Sequence, residues 1–137
     1  MGVKVTIKHN MPKKIDSAMR KFENSINQWV DNTGTYFRNE IALTMKNSPA
    51  TGRKYQRGKK VHIASSKGNP PRVDTSMLWS SIQYKRIGIG EGLVSTNIEY
   101  SEKLEMEMDR PFMSKRSKAY RNTIIRGKML AQRIGIK

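Results

Sequence analysis

Hydrophobic residues recur at intervals of three and four positions along the first third of the chain. The stripe consists of Ile15, Met19, Phe22, Ile26, Trp29, Val30, Thr33, Phe37, Ile41 and Met45. This spacing predicts one amphipathic helix, which begins near Asn10–Pro12 and ends near Asn47 because Ser48-Pro49 cannot continue it. An unbroken helix of this extent would be about 50 Å long. A helix of that length exceeds the width expected of such a domain, so it should either kink or project, and residues 32–34, which include Gly34, are the expected position of a kink.

Shorter patterns predict strands and two further helices. VKVTIKH, residues 3–9, alternates apolar and polar side chains as a half-buried strand does. Two β-rich runs within residues 82–100 flank a glycine-containing turn at residues 88–92, which favours a hairpin. Asp74 or Thr75 is expected to cap a short helix that ends at Ile82, and Ser114 to cap a final basic helix. The order predicts an α+β fold in which a long N-terminal helix and a C-terminal helix pack on a small antiparallel sheet.

The stretch from residue 48 to 73 is rich in proline, glycine and cations and has few apolar residues. We expect a long loop with little structure of its own, at most a short ribbon through VHIAS. Its part from residue 51 to 73 holds seven Lys or Arg residues and no acid. With 137 residues, the chain is expected to form a single domain, 1–137, that carries this extended basic loop.

Charge is unevenly distributed along the sequence. The chain has 27 Lys and Arg against 11 Asp and Glu, a net charge of +16. Five of the 11 acids lie between residues 99 and 109, whereas the residues from 110 onward hold nine cations and no acid. Separation of the two signs predicts complementary faces, either between subunits or toward nucleic acid.

The residues that most enzymes depend on are scarce. There is no cysteine, and the two histidines, His9 and His62, belong to no catalytic or metal-binding motif. The acids of residues 99–109 fit no cation-binding loop, so neither a metal nor another cofactor is expected. No apolar run approaches the roughly 18 residues of a membrane span. These features argue against an enzyme and against a membrane partner.

TGRKYQRGKKVH, residues 51–62, interleaves Tyr55 and His62 with five cations. Such a segment suits contact with phosphates and occasional stacking on bases. No helix-turn-helix, RRM, KH or zinc-finger pattern accompanies it. From composition alone, polyanion contact and an ordinary solvated face both remain open.

Three stretches in succession resemble a known family: TGRKYQRGKKVHIASSKGNPPRVDTSMLWSSI, VSTNIEYSEKLE and DRPFM. Together they are similar to the tail-component family of long-tailed bacteriophages, the tail-completion or head-to-tail joining proteins of the virion neck. The resemblance covers about residues 51–113. Its matching positions are Thr51, Gly52, Tyr55, Ala64, Ser65, Gly68, Pro70, Pro71, Asp74, Thr75, Leu78, Ser81, Ile82, Tyr100, Leu104, Glu105, Arg110, Pro111 and Phe112.

The sequence departs from the family pattern at two places. Ser76 stands where the family usually has glycine, so a less tight turn is expected before the short helix. Residues 106–109, Met-Glu-Met-Asp, replace a glycine-containing loop.

The resemblance implies a non-enzymatic virion protein that joins head to tail as a ring around the DNA path, six-fold like the tail tube. Its implied partners are other copies of itself, portal or head-completion proteins, and tail-terminator and tail-tube proteins, with nonspecific contact to genomic DNA. The implied location is the virion neck, after assembly in the host cytoplasm. The alternative function is that of a sequence-nonspecific nucleic-acid-binding protein.

The expected contact residues form two groups. The cations that should face a partner or the DNA channel are Arg53, Lys54, Arg57, Lys59 and Lys60. The motif residues expected at a subunit interface are Pro70, Pro71, Asp74, Thr75, Leu78, Trp79, Ile82, Tyr100, Glu105, Arg110, Pro111 and Phe112. Simple intramolecular packing is the alternative for the second group, above all for its aromatic and aliphatic members.

Two more specific contacts are expected. Arg110 should pair with Glu105 or with an acid of a neighbouring subunit, while Pro111 and Phe112 should anchor the last helix on the sheet. Between subunits, the acidic residues 99–109 should meet the basic residues 53–60 or 115–128 of the next copy. Such a head-to-tail interface can close into a ring.

Overall fold

The computed structural model describes residues 2–4, 16–73 and 76–133. These ranges contain five strands and four helices: β1 (Gly2–Lys4), α1 (Asp16–Lys46), β2 (Lys54–Arg57), β3 (Lys60–Ile63), α2 (Met77–Ser81), β4 (Gln83–Gly88), β5 (Glu91–Ser95), α3 (Ser101–Met106) and α4 (Lys118–Arg133). The arrangement confirms the predicted α+β class with its long N-terminal helix, its C-terminal helix and its small antiparallel sheets.

The main sheet has the strand order β1-β5-β4, and both pairings are antiparallel. Helix α1 lies across β4 and β5, and α4 packs along α1. The central core lies where α1, α2, β5 and the segment before α4 meet. It contains Phe37, Ile41, Met45, Leu78, Ile82, Val94, Phe112, Met113 and Ala119. Most of the described part of the chain thus packs around α1.

The hydrophobic stripe of α1 is buried along most of its described length. Its buried members include Ile26, Val30, Phe37, Ile41 and Met45, as the spacing predicted. Phe22, in contrast, is 49% exposed. The predicted start of the helix, Ile15 and most of the predicted strand over residues 3–9 lie outside the described residues.

Helix α1 runs through the predicted kink position without a break and is about 46 Å long at 1.5 Å per residue.

Gly34 has a different role, because a Cβ atom there would lie 2.2 Å from Cε2 of Tyr84. The Tyr84 hydroxyl donates a hydrogen bond of 2.7 Å to Asp31 Oδ1. Burial, followed by this bond to Asp31, raises the pKa of Tyr84 above its usual value. Glycine therefore permits close contact between the helix and the sheet.

The predicted hairpin around residues 88–92 is formed by β4 and β5. Gly88 pairs with Glu91, so Ile89 and Gly90 make the turn. Gly90 has a φ of 67°, a left-handed conformation that glycine adopts without steric cost. Its N–H donates to Asn27 Oδ1 at 2.8 Å, which ties the turn to α1.

Both predicted helix caps need correction. The cap position of α2 is Ser76, not Asp74 or Thr75, which lie outside the described residues. Helix α4 begins at Lys118, and the Oγ atom of Ser117 accepts the Tyr120 N–H at 3.1 Å. Ser114, the predicted cap, lies one turn earlier, where its carbonyl accepts the Ser117 N–H.

The basic stretch after α1 is more ordered than predicted. Strands β2 and β3 pair as an antiparallel hairpin from Lys54–Ile63 to Arg57–Lys60. We call this β2–β3 unit the basic hairpin. Gly58 turns it with a φ of 60°, and Gln56 Nε2 donates to the Gly58 carbonyl at 2.6 Å. Backbone bonds from Gly52 to Ala64 and from Ala64 to Arg53 close its base.

Candidate functional site

A cavity of about 530 Å³ lies between the basic hairpin, α2 and α3. Six of the sequence-predicted contact residues line it: Arg57, Pro71, Leu78, Trp79, Tyr100 and Arg110. The other lining residues are Met45, Tyr55, His62, Ala64, Arg72, Val73, Ser76, Met77 and Leu104. We call this space the motif cavity, because residues of all three motif stretches meet in it. Its volume falls within the range typical of ligand sites.

The polar groups of the motif cavity favour an anionic occupant. None of the described residues that line it is acidic, whereas three are arginines: Arg57, Arg72 and Arg110. Trp79 Nε1 and Arg110 Nε are buried and have no hydrogen-bond partner in the described structure. Both atoms only donate hydrogen bonds. Because both atoms are covered by the protein, the preference for an anion rests on the charge of the three arginines.

A further cation lies beside the aromatic side of the cavity. Lys46 Nζ is 4.7 Å from the ring centroid of Trp79, within the range of a cation–π contact. Arg72, which sequence analysis did not single out, donates from Nη1 to the Ile63 carbonyl at 2.7 Å. Arg72 thereby fixes the loop before α2 to the basic hairpin. Its position directly after two prolines was the only sequence signal for this role.

The basic hairpin presents different residues on its two faces, because side chains alternate along a strand. Tyr55 is opposite His62, and Arg57 is opposite Lys60. Tyr55, His62 and Arg57 line the motif cavity, so Lys60 belongs to the cavity side as well. Lys54 has the opposite parity and belongs to the other face. The predicted cations are therefore shared between the cavity and the outer surface.

Most of the predicted cations lie on the exposed surface of the basic hairpin or at its base. Arg53, Lys54, Lys59 and Lys60 are all exposed. The Arg53 guanidinium carbon lies 5.6 Å from the Tyr55 ring centroid. These residues are available for contact with a partner or with DNA, which remains a prediction.

Glu105 organises the segment between α3 and α4. Its side chain is 1% exposed, and Oε1 accepts hydrogen bonds from three consecutive backbone N–H groups. They belong to Phe112 at 2.9 Å, Met113 at 2.5 Å and Ser114 at 2.9 Å. Glu105 therefore stabilises its own subunit through backbone amides. The expected pairing with Arg110 is not among the contacts of the Glu105 carboxylate.

Several predicted interface residues are buried inside the single chain. Ile82 is 1% exposed and Phe112 is fully buried, and both belong to the central core. Pro111 is also buried, and the Pro70 carbonyl accepts a hydrogen bond from Ser48 Oγ. For these positions the structure shows intramolecular packing, the alternative to interface contact. Asp74 and Thr75 lie outside the described residues.

A second cavity, of about 340 Å³, lies between α1, the main sheet and α4. Its lining includes Trp29, Phe37 and Ile124. Trp29 Nε1 donates to the Gly127 carbonyl at 3.0 Å, so this indole already has its partner. The second cavity is thus largely apolar, although its lining includes Thr33, whose buried Oγ1 has no hydrogen-bond partner in the described structure.

The described residues contain neither a metal-binding group nor a membrane-spanning helix. Within residues 2–4, 16–73 and 76–133, no three His, Asp or Glu side chains form a group that could hold a metal ion. Across the same residues, no helix is long and apolar enough to cross a membrane.

Comparison of the chain with known protein families, with curated proteins and with solved structures gave no match.

Proposed function

We propose that this protein is a structural component of the neck of a long-tailed bacteriophage, where a ring of copies joins head to tail around the DNA path. One observation carries the proposal. The three stretches that resemble the tail-component family lie within residues 51–113, and residues from each of them meet at the motif cavity. A chance resemblance of short stretches gives no reason for such convergence.

The backbone at Ser76 lends separate support to the resemblance. Ser76 stands where the family usually has glycine, and its φ of 67° is the left-handed conformation that glycine adopts most easily. The departure from the family pattern thus falls at a position whose backbone still suits glycine. We infer that the turn has the family geometry even though its residue differs.

The distribution of exposed charge fits a contact between copies. The basic hairpin exposes its cations, whereas Glu99, Glu102 and Glu107 are exposed on α3 or close to its ends. Because the two charged surfaces belong to different elements, one copy can present its acids to the cations of the next. Repetition of such a head-to-tail contact generates a closed ring when the rotation allows it. The family suggests six copies.

In this proposal the ring lies between a portal or head-completion protein and the tail-terminator and tail-tube proteins. The protein is made in the host cytoplasm and ends in the virion neck. Cations that remain outside the subunit contacts face genomic DNA or acidic surfaces of the neck partners. Catalysis and bound cofactors have no part in this function.

Charge reversal in the encoding phage tests the proposal. We expect the double variant Lys59→Glu and Lys60→Glu to yield separate heads and tails in electron micrographs, with loss of infectious particles. The control is Arg20→Glu with Lys21→Glu, which changes the net charge equally at two exposed positions of α1. Normal joining in the hairpin variant, or absence of the protein from purified virions, would contradict the proposal.

A second candidate function is sequence-nonspecific binding of nucleic acid. It is favoured by the basic hairpin, where exposed cations surround Tyr55 and could contact phosphates while the ring stacks on a base. If this is the function, the isolated monomer binds DNA with an affinity that falls steeply with salt. Replacing Lys59 and Lys60 by Glu should then lower the slope of log affinity against log salt by about 2. A shallow slope in the wild type favours the neck protein.

A further inference from the structure

The exposed side of α3 combines an apolar side chain with carboxylates. Met106 is 74% exposed, more than any other large hydrophobic residue that the structure describes. Glu102 precedes it by one helical turn and Glu107 follows it directly, and both are exposed. We call these three residues the acidic knob. A solvent-exposed methionine next to two carboxylates forms a surface to which another protein can bind.

The motif cavity has the complementary chemistry. Three arginines, Arg57, Arg72 and Arg110, line it, and no described acidic residue does. Much of the remaining lining is apolar, including Met45, Leu78 and Leu104. An occupant that brings one carboxylate together with one apolar side chain would match the charge of the arginines and fill the apolar space.

We propose that the motif cavity of one copy binds the acidic knob of a second copy. This inference rests on the proposed function, in which copies associate head to tail, and it names the residues of that contact. A knob cannot enter the cavity of its own chain, because Leu104 of the same six-residue helix and Tyr100, which precedes that helix, already form part of the cavity lining. The contact is therefore heterologous and can repeat around a ring.

A carboxylate on a protein chain suits this cavity better than a nucleic-acid phosphate. A carboxylate and a phosphodiester both lose hydration on burial, but only the knob also brings an apolar side chain to the apolar part of the lining. Phosphates are attracted instead to Lys54 and Lys59, which are exposed and outside the cavity lining. An experiment on this contact therefore has to exclude binding of nucleic acid in the cavity.

The test uses a labelled synthetic peptide of residues 99–109 and the full-length protein at low concentration. We expect fluorescence anisotropy to show saturable binding of the peptide. Peptide variants cannot unfold the protein that binds them, so they isolate the contact. Glu107→Gln removes a charge-assisted hydrogen bond and should weaken binding about tenfold or more. Met106→Ser removes the buried apolar group and should weaken it by a similar factor.

A matched control distinguishes the proposed contact from insertion of the peptide into the position of α3 itself. Leu104 faces its own cavity and does not belong to the knob. The peptide variant Leu104→Ser should therefore bind as well as the unchanged peptide. Loss of binding with this variant, equal binding of a scrambled peptide, or no binding at all would overturn the inference. Displacement of the peptide from the cavity by a short oligonucleotide at equal concentration would overturn it in favour of phosphate.

Full-length variants test the same contact between whole subunits by analytical ultracentrifugation. One variant loses the knob through Met106→Lys and Glu107→Lys. The other blocks the cavity through Met77→Glu, at a lining residue that is 57% exposed and hence tolerant of change. Each variant alone should be monomeric where the wild type associates. Their mixture should form dimers and nothing larger, because one intact knob still meets one intact cavity.

The two proposals can fail separately. Peptide binding by a protein that is absent from virions would keep the knob contact and refute the neck function. A virion protein that fails to bind the peptide, and whose variants associate like the wild type, would keep the neck function and refute the knob contact.

Discussion

Replacing Glu105 by alanine removes the acceptor of three buried backbone N–H groups in the segment before α4. Each buried donor left without a partner costs about 1–3 kcal/mol. Three such losses would total about 3–9 kcal/mol, but relaxation and entry of water favour the lower part of this range. We expect Glu105→Ala to destabilise the protein by about 4 kcal/mol. That is a large share of the roughly 5–15 kcal/mol by which folded proteins are stable.

The conservative variant Glu105→Gln separates charge from shape. Glutamine keeps one acceptor oxygen, but hydrogen bonds to a neutral acceptor are weaker by about 1 kcal/mol each. Its amide nitrogen would replace Oε2, which is buried and has no partner among the described residues. The expected loss is about 3 kcal/mol for the three bonds, between that of alanine and no change. The order alanine, glutamine, glutamate is therefore part of the prediction.

Urea unfolding followed by circular dichroism, at low protein concentration, measures these differences. With a denaturant dependence of about 2 kcal/mol per molar urea, Glu105→Ala should lower the midpoint by about 2 M. Glu107→Gln is the matched control, since the same change is made two residues away at an exposed position. It should shift stability by less than about 0.5 kcal/mol. A cost below about 1 kcal/mol for Glu105→Ala would refute the assigned role of Glu105.

Three further predictions concern the contact between α1 and the sheet and the turn before α2. Gly34→Ala should destabilise the protein by about 1–2 kcal/mol, despite the better helix propensity of alanine, because its Cβ meets the Tyr84 ring. Differential scanning calorimetry checks this, and a higher melting temperature for the variant would show that the ring can move aside. Tyr84→Phe should cost about 1–2 kcal/mol through the lost bond to Asp31. Folding raises the pKa of Tyr84, so the stabilisation by its protonated hydroxyl is complete below the unfolded pKa of about 10 and declines above it. The difference in unfolding free energy between wild type and variant, measured by urea titration, should therefore narrow as pH rises beyond about 10. Ser76→Gly should stabilise by about 0.5–1 kcal/mol and Ser76→Val should destabilise, since the φ of 67° favours glycine; equal thermal midpoints for the two variants would contradict this.

The sequence predicted those elements that show a regular spacing of hydrophobic residues or a glycine-containing turn. The three- and four-residue stripe identified α1, and glycines between two β-rich runs identified the hairpin of β4 and β5. The basic hairpin was not predicted, because most side chains on both faces of its strands are polar and no alternation of apolar and polar residues appears. Of its eight strand positions, six are exposed. Burial, which creates the usual strand pattern, is nearly absent there.

Contacts that depend on tertiary structure were the least predictable. Gly34 was interpreted as a weak point of a helix, whereas its role comes from a tyrosine 50 positions later. Glu105 was expected to pair with a nearby arginine, but its partners are backbone amides that converge only once the turn before α4 has formed. The motif cavity followed from neither spacing nor composition.

The dependence of one turn on the single Glu105 carboxylate has an evolutionary consequence. A lineage that replaces this acid must also rebuild the segment after Arg110, since three amides would otherwise lose their acceptor together. Substitutions at the two places should therefore be inherited as linked changes. Such paired positions can identify distant homologues after the rest of the sequence has diverged beyond ordinary alignment.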